Sequence, residues 1–136
     1  MFVYEVKGIR VRYADTDQMG YVYYGNYARY YEIGRVEALR SLDYHYKAME
    51  DEGVMMPVYD CHSRYLRPAR YDDLLSIKVT IQEMPGVRVR FLYEIRNQLD
   101  VLLNTGETTL VFQRMDNGKL CTIPEKLKVK LQSYFE

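Results

Sequence analysis

Two carboxylates one residue apart, Asp15 and Asp17, stand ahead of a glycine and a cluster of tyrosines in the stretch Tyr13-Ala-Asp-Thr-Asp-Gln-Met-Gly-Tyr-Val-Tyr-Tyr-Gly-Asn-Tyr-Ala-Arg-Tyr-Tyr31. A strand pattern ends here and a helical one begins. A helix start presents unpaired N–H groups and a partial positive charge. A carboxylate held beside it supplies a base or a nucleophile, and the two together suit attack on a carbonyl. Other readings of the same residues compete. Asp15-x-Asp17-x-x-Gly20 begins like a calcium loop, but Met19 fills the fifth position and Asn26 the twelfth, where a bidentate Glu is needed. An Asp-x-Asp metal–nucleotide site belongs to much longer sugar-transfer enzymes. Asp and Asn ahead of a helix also serve simply as caps and turn formers, so spacing alone leaves the function open.

The elements around this stretch follow from periodicity. Phe2, Tyr4 and Val6 alternate, then Ile9, Val11 and Tyr13, so residues 2–13 read as a strand. Residues 14–26 read as a loop. Tyr27, Tyr31, Gly34, Ala38 and Leu42 recur at helical spacing, with Asn26 as the expected N-cap. Residues 44–53 read as a short second helix stopped by Gly53. Leu75, Ile77, Val79 and Ile81 then alternate with polar residues, and Val87, Val89, Phe91, Tyr93 and Ile95 do the same across a Pro85-Gly86 turn. A long strand is expected over 101–115, bent near Gly106. Asn117-Gly118 marks a hairpin into a short strand at Lys119–Thr122, and Pro124 suits the first turn of a terminal helix carrying Leu127 and Leu131. The order is a strand, a long helix, then four or five antiparallel strands. One apolar helix covers one face of such a sheet, while its edges invite a second subunit.

Composition narrows the function classes. The chain has 136 residues, room for one domain over 1–136. Nineteen Lys and Arg balance nineteen Asp and Glu, against the basic surplus that blanketing a nucleic-acid backbone needs. No basic region followed by an apolar stretch opens the chain, and no run of about 18 apolar residues spans a bilayer. Cys61 and Cys121 are expected as free thiols in a reducing cytoplasm, with Cys61 buried. Neither belongs to a CxxC pair, and with only His45 and His62 beside them no structural zinc is expected. Cys61 and His62 are strand neighbours facing opposite ways, so they do not form a nucleophile–base pair.

Arg12-Tyr-Ala-Asp-Thr-Asp17, Gly20-Tyr-Val-Tyr-Tyr24 and Asn26-Tyr27 resemble the signature of the 4-hydroxybenzoyl-CoA thioesterase family. Weaker matches follow at Arg35, at Pro68 with Tyr71-Asp72-Asp73 and Leu75, and at Ile123-Pro124. The resemblance implies an α+β hotdog fold, a curved antiparallel sheet wrapped around one long central helix. It implies an acyl-CoA thioesterase releasing a free acid and CoA, with Asp17 as nucleophile or general base. The backbone N–H of Tyr24 would polarise the thioester carbonyl, which also moves the helix start toward Val22. Some relatives carry His at the position of Tyr24, so a carboxylate-only site is expected here. Substrate-binding positions are Gly20, Tyr23, Glu32, Arg67 and Arg88. Glu32 either touches the acyl group or pairs with Arg29 or Arg35, the second being favoured, and Arg67 and Arg88 are the expected cationic contacts to coenzyme A. The tyrosine cluster lines an acyl pocket or serves core and interface. No metal and no cofactor beyond the coenzyme A of the substrate are implied. The partners are an acyl-CoA or acyl-carrier-protein substrate and a homodimer or homotetramer with its sites between subunits. The alternative is a hotdog protein that binds acyl-CoA or acyl-carrier protein without hydrolysing it. A hydroxyacyl dehydratase on the same fold would want a His with an acid near the central helix, and none is placed there.

Overall fold

The computed structural model describes residues 1–136. Its centre is a five-stranded antiparallel sheet in the order β1-β4-β5-β6-β3, formed by β1 (Phe2–Arg10), β3 (Val58–Tyr65), β4 (Leu74–Ile81), β5 (Arg88–Arg96) and β6 (Leu102–Val111). A two-stranded ribbon pairs β2 (Val54–Met55) with β7 (Gln113–Arg114). The long helix α1 (Tyr27–Ser41) packs across β1, β4 and β5, and α2 (Tyr46–Asp51) and α3 (Glu125–Leu131) are short.

Alternation in β4 and β5 decides which face is apolar. Leu75, Ile77, Val79 and Ile81 are buried, as are Val89, Phe91, Tyr93 and Ile95. Each such side chain adds about 1.5–3 kcal/mol when fully buried. The helix meets this face through its small residues. A Cβ at Gly34 would lie 2.9 Å from the Val79 Cγ2 and 3.1 Å from the Ile77 Cγ2, so α1 seats on β4 only because position 34 carries none. The same logic acts on β6. A Cβ at Gly106 would lie 2.2 Å from the Tyr31 ring, so Gly106 clears the space that this helix side chain fills. The Tyr31 hydroxyl lies 2.8 Å from the Ser63 Oγ and donates to the Asn104 Oδ1, tying α1 to β3 and β6.

Several expectations are corrected in detail. β1 ends at Arg10, not residue 13, and its alternation changes phase between Val6 and Ile9, where the register with β4 shifts and Gly8 adopts φ +79°. A bulge absorbs one residue there and flips the side chains that follow. A 3-10 turn at Tyr24–Asn26 leads into α1, so the helical run covers 24–41, between the two starts expected. Asn26 is not a side-chain N-cap. It is already helical, and its Nδ2 donates to the Asp15 carbonyl at 2.8 Å instead. The second helix contracts to α2, and Gly53 at φ +75° follows it. Lys119–Thr122 forms no strand, only a single bridge from Leu120 to Gln113. Cys61 is exposed, not buried, because β3 is an edge strand open along nearly its whole length. Cys61 and Cys121 are both free.

Candidate active site

A tight hairpin fixes Asp17. Thr16 and Val22 bridge antiparallel, the Asp17 N–H donates to the Tyr21 carbonyl at 2.7 Å, and the Gly20 N–H donates to the Asp17 carbonyl at 3.0 Å. Gly20 has φ +80°, the left-handed conformation that this turn requires. The Asp17 Oδ1 accepts from the Met19 N–H at 2.9 Å and the Tyr21 N–H at 3.2 Å, while its Oδ2 has no partner in the chain. One oxygen therefore anchors the carboxylate and the other stays open. The loop is pinned in turn: the Val22 N–H donates to the Ala69 carbonyl at 2.8 Å, and Arg70 stacks over the Tyr21 ring, 5.0 Å from its centroid.

Asp15 has the opposite fate. It is buried, and its carboxylate accepts from the Arg12 N–H at 2.9 Å, from the Tyr30 hydroxyl at 3.1 Å and from the Arg29 guanidinium in an ion pair. Its carbonyl accepts from the Tyr23 N–H at 2.9 Å and from the Asn26 side chain. Burial first, and then the Asp15 charge, push the Tyr30 hydroxyl above the ordinary tyrosine range. Because the Tyr23 N–H is taken by Asp15, the first free N–H groups of the helical run belong to Tyr24 and Gly25, and neither finds an acceptor in the chain.

Asp17 and Tyr24 line one cleft of about 330 Å³ with Met19, Tyr21, Val22, Tyr27, Tyr65, Leu66, Arg67 and Pro68. Of the site residues expected from sequence, the structure brings Asp17, Tyr24 and Arg67 together here. Gly20 shapes the hairpin without lining the cleft, and Tyr23 packs beside Tyr24 at a centroid distance of 4.7 Å. Glu32 is exposed on α1 and pairs with neither Arg29 nor Arg35, since Arg29 is taken by Asp15. Arg88 lies at the far end of β3, over the Tyr59 ring. Tyr27, Tyr30 and Tyr31 are buried in the core, so the tyrosine cluster divides between core and cleft. The sequence reading missed Tyr65 and Leu66, which follow β3 into the cleft; their place just ahead of Arg67-Pro68 was the signal available. It also missed the structural weight of Asp15. A larger hollow of about 470 Å³ opens on the other face of the sheet, where Lys78 and Glu94 pair with each other and Glu107 pairs with Arg90. No group of three His, Cys, Asp or Glu side chains is disposed to hold a metal ion.

Solved structures share this architecture. A DHNA-CoA thioesterase of Staphylococcus aureus superposes with a TM-score of 0.82 at 29% identity over 96% of this chain and 90% of its own. A hypothetical protein of Thermus thermophilus does so at 0.86 and 31%, over 98% of both chains. The fold is therefore that of the hotdog thioesterases: an α+β domain with an antiparallel sheet and one long helical run.

The family model described as Thioesterase-like superfamily matches residues 11–131, and the chain belongs to that family. Among curated relatives, the acyl-CoA thioester hydrolase YbgC of Escherichia coli O6:H1 is 36% identical over 120 residues, covering 88% of this chain and 83% of YbgC. The putative acyl-CoA thioesterase YneP of Bacillus subtilis is 38% identical over 91 residues, covering 67% of this chain and 66% of YneP. The family reached is this broader one rather than the 4-hydroxybenzoyl-CoA group in particular. By class the chain is an enzyme, a thioester hydrolase.

Proposed function

We propose that the chain hydrolyses acyl-CoA thioesters to a free acid and coenzyme A at the cleft between Asp17 and the start of the α1 run. The observation that carries this reading is the pairing in one cleft of a carboxylate with an uncommitted oxygen and a helix-start N–H without an acceptor. The thioester carbonyl oxygen accepts from the Tyr24 N–H. As the carbonyl carbon is attacked, negative charge collects on that oxygen, where a preorganised donor contributes about 3 kcal/mol. Attack comes by one of two routes. In the first, the free Asp17 oxygen adds to the carbon, the carbon–sulfur bond breaks, CoA leaves as its thiolate, and water then hydrolyses the mixed anhydride. In the second, Asp17 takes a proton from a water that attacks directly. Arg67, on the cleft wall without an acidic partner, meets a phosphate of the carrier.

The same reading makes the chain a homodimer or a homotetramer with its sites at subunit boundaries. The exposed, unpaired outer edge of β3 supports it. Antiparallel pairing of two such edges would set the Tyr59 and Arg88 end of one copy against the Tyr65 end of the other, returning Arg88 to the neighbouring cleft. A cytoplasmic setting belongs to the same proposal and is supported by the two free thiols, Cys61 and Cys121.

The test is thiol release from a panel of acyl-CoAs, benzoyl-type groups included, with acyl-carrier-protein forms alongside. Turnover of at least one class is expected. Saturable binding with no turnover of any substrate would contradict it and leave a binding protein.

A further inference from the structure

In a well-formed interior every buried polar atom finds a partner, and each exception asks for an explanation. Two buried side-chain atoms lack one here, the Arg35 Nε and the Tyr46 hydroxyl. They belong to the same place. The Arg35 guanidinium lies against the Tyr46 and Tyr93 hydroxyls, whose oxygens favour its charged form but supply no counter-ion. Arg35 is 8% exposed, yet no carboxylate of the chain stands within ion-pair distance of it. A guanidinium only donates, and its hydroxyl neighbours are neutral, so the missing group is an anionic acceptor. A buried charge left without its counter-ion costs several kcal/mol.

The surroundings say where that acceptor arrives. α1 covers β1, β4 and β5, while its Tyr31 and Arg35 reach toward β3, Tyr31 to Ser63 and Arg35 to the vicinity of Cys61. Tyr31 and Arg35 are buried there, but β3 beside them is exposed along nearly its whole length and its outer edge is unpaired. One helical turn before Arg35, on the same helix, Glu32 is exposed and engaged in no hydrogen bond or ion pair, and its charge reaches Tyr46. The patch thus carries an acid without a base and a base without an acid. A two-fold axis joins a surface to itself. If two α1 helices lie antiparallel about an axis passing between positions 33 and 34, position 32 of each faces position 35 of the other.

We propose that Arg35 is completed by the partner's Glu32, in two identical ion pairs formed when a second copy of the chain docks along α1 and the β3 edge. This rests on the dimer inferred above for its partner, and it assigns Glu32 to the subunit boundary rather than to the acyl group.

Sedimentation velocity on E32R, on R35E and on their equimolar mixture tests it. Each variant alone puts like charges together and should dissociate about 100-fold more readily than the wild type. The mixture should recover tight dimers, because a heterodimer of the two variants has opposite charges at both contacts. Circular dichroism checks that each variant folds. If R35E does not, Arg35→Met replaces it: adding E32R to that background should then weaken the dimer less than threefold. A wild-type chain that stays monomeric at all concentrations overturns the dimer and this pairing together. A wild-type dimer with an E32R variant that dimerises as tightly, or a mixture no tighter than its components, overturns the pairing alone.

Discussion

Asp15 and Asp17 are separated by one threonine and sit in opposite circumstances. The Asp15 carboxylate is buried and used up by a backbone N–H, a tyrosine hydroxyl and an arginine. The Asp17 carboxylate is half-buried, with one oxygen held by two N–H groups of its own turn and the other free over a cleft. The first holds the loop against the start of α1; the second is what that loop presents. The comparison explains why the proposed chemistry is assigned to the carboxylate whose valences are left open, with a spent neighbour keeping it in place.

The sharpest way to break this division is to exchange the expected costs. Asp15→Ala leaves the Arg12 N–H and the Tyr30 hydroxyl without their acceptor, while the half-exposed Arg29 turns to solvent, so the loss should be about 2–3 kcal/mol. Asp17→Ala removes only two bonds within an exposed turn and should cost about 1 kcal/mol. Urea titration of both variants measures the gap, and equal losses would erase the distinction.

Next in size is the donor at the helix start. Tyr23 has φ −61° and ψ 133°, a conformation suited to precede proline, and proline is tolerated where a helix begins. Tyr24→Pro deletes the N–H while keeping the turn, and its kcat should fall about 100-fold or more. Tyr24→Phe keeps the amide and should stay within about twofold of the wild type. A fully active proline variant would move the donor to Gly25.

A smaller effect separates what Tyr30 and Tyr31 do. Tyr30→Phe removes one hydroxyl from Asp15 and should lower stability by about 1 kcal/mol with kcat preserved. Alkaline titration reads Tyr31. Burial pushes its hydroxyl up to about 12 from an ordinary 10.0. The folded chain therefore keeps this proton where the unfolded chain has lost it, so the contribution is whole below pH 10 and drains away as pH rises toward 12. Unfolding followed between those values should show the loss, and Tyr31→Phe should reduce it by one tyrosine's share, since burial also raises Tyr27, Tyr30, Tyr44, Tyr46 and Tyr93.

Much of this was legible before the structure. The alternation of β4 and β5 and the helical spacing from Tyr27 state the fold class outright, because side chains of a half-buried strand or helix must choose one face. The Asp-Thr-Asp block stated the loop. Other features lie outside what period and spacing express. Cys61 reads as buried because a free Cys usually behaves as a small core residue, and only the strand order puts β3 at an edge. Asn26 has the type of a cap, but Asp15 recruits its side chain from eleven residues away. Glu32 has two arginines at helical distance, and tertiary contacts engage neither with it: Arg29 is claimed by Asp15 and Arg35 is turned into the interior. Sequence separation hides all three, since each is settled by a neighbour remote in the chain.

The most direct measurement is thioester hydrolysis by Asp17→Asn with acyl-CoA affinity determined on the same variant. Asparagine keeps the anchoring oxygen and loses the basic one. The account predicts that turnover drops by about a thousandfold while binding and melting temperature stay near those of the wild type. Undiminished turnover in a variant that binds its substrate normally would contradict it.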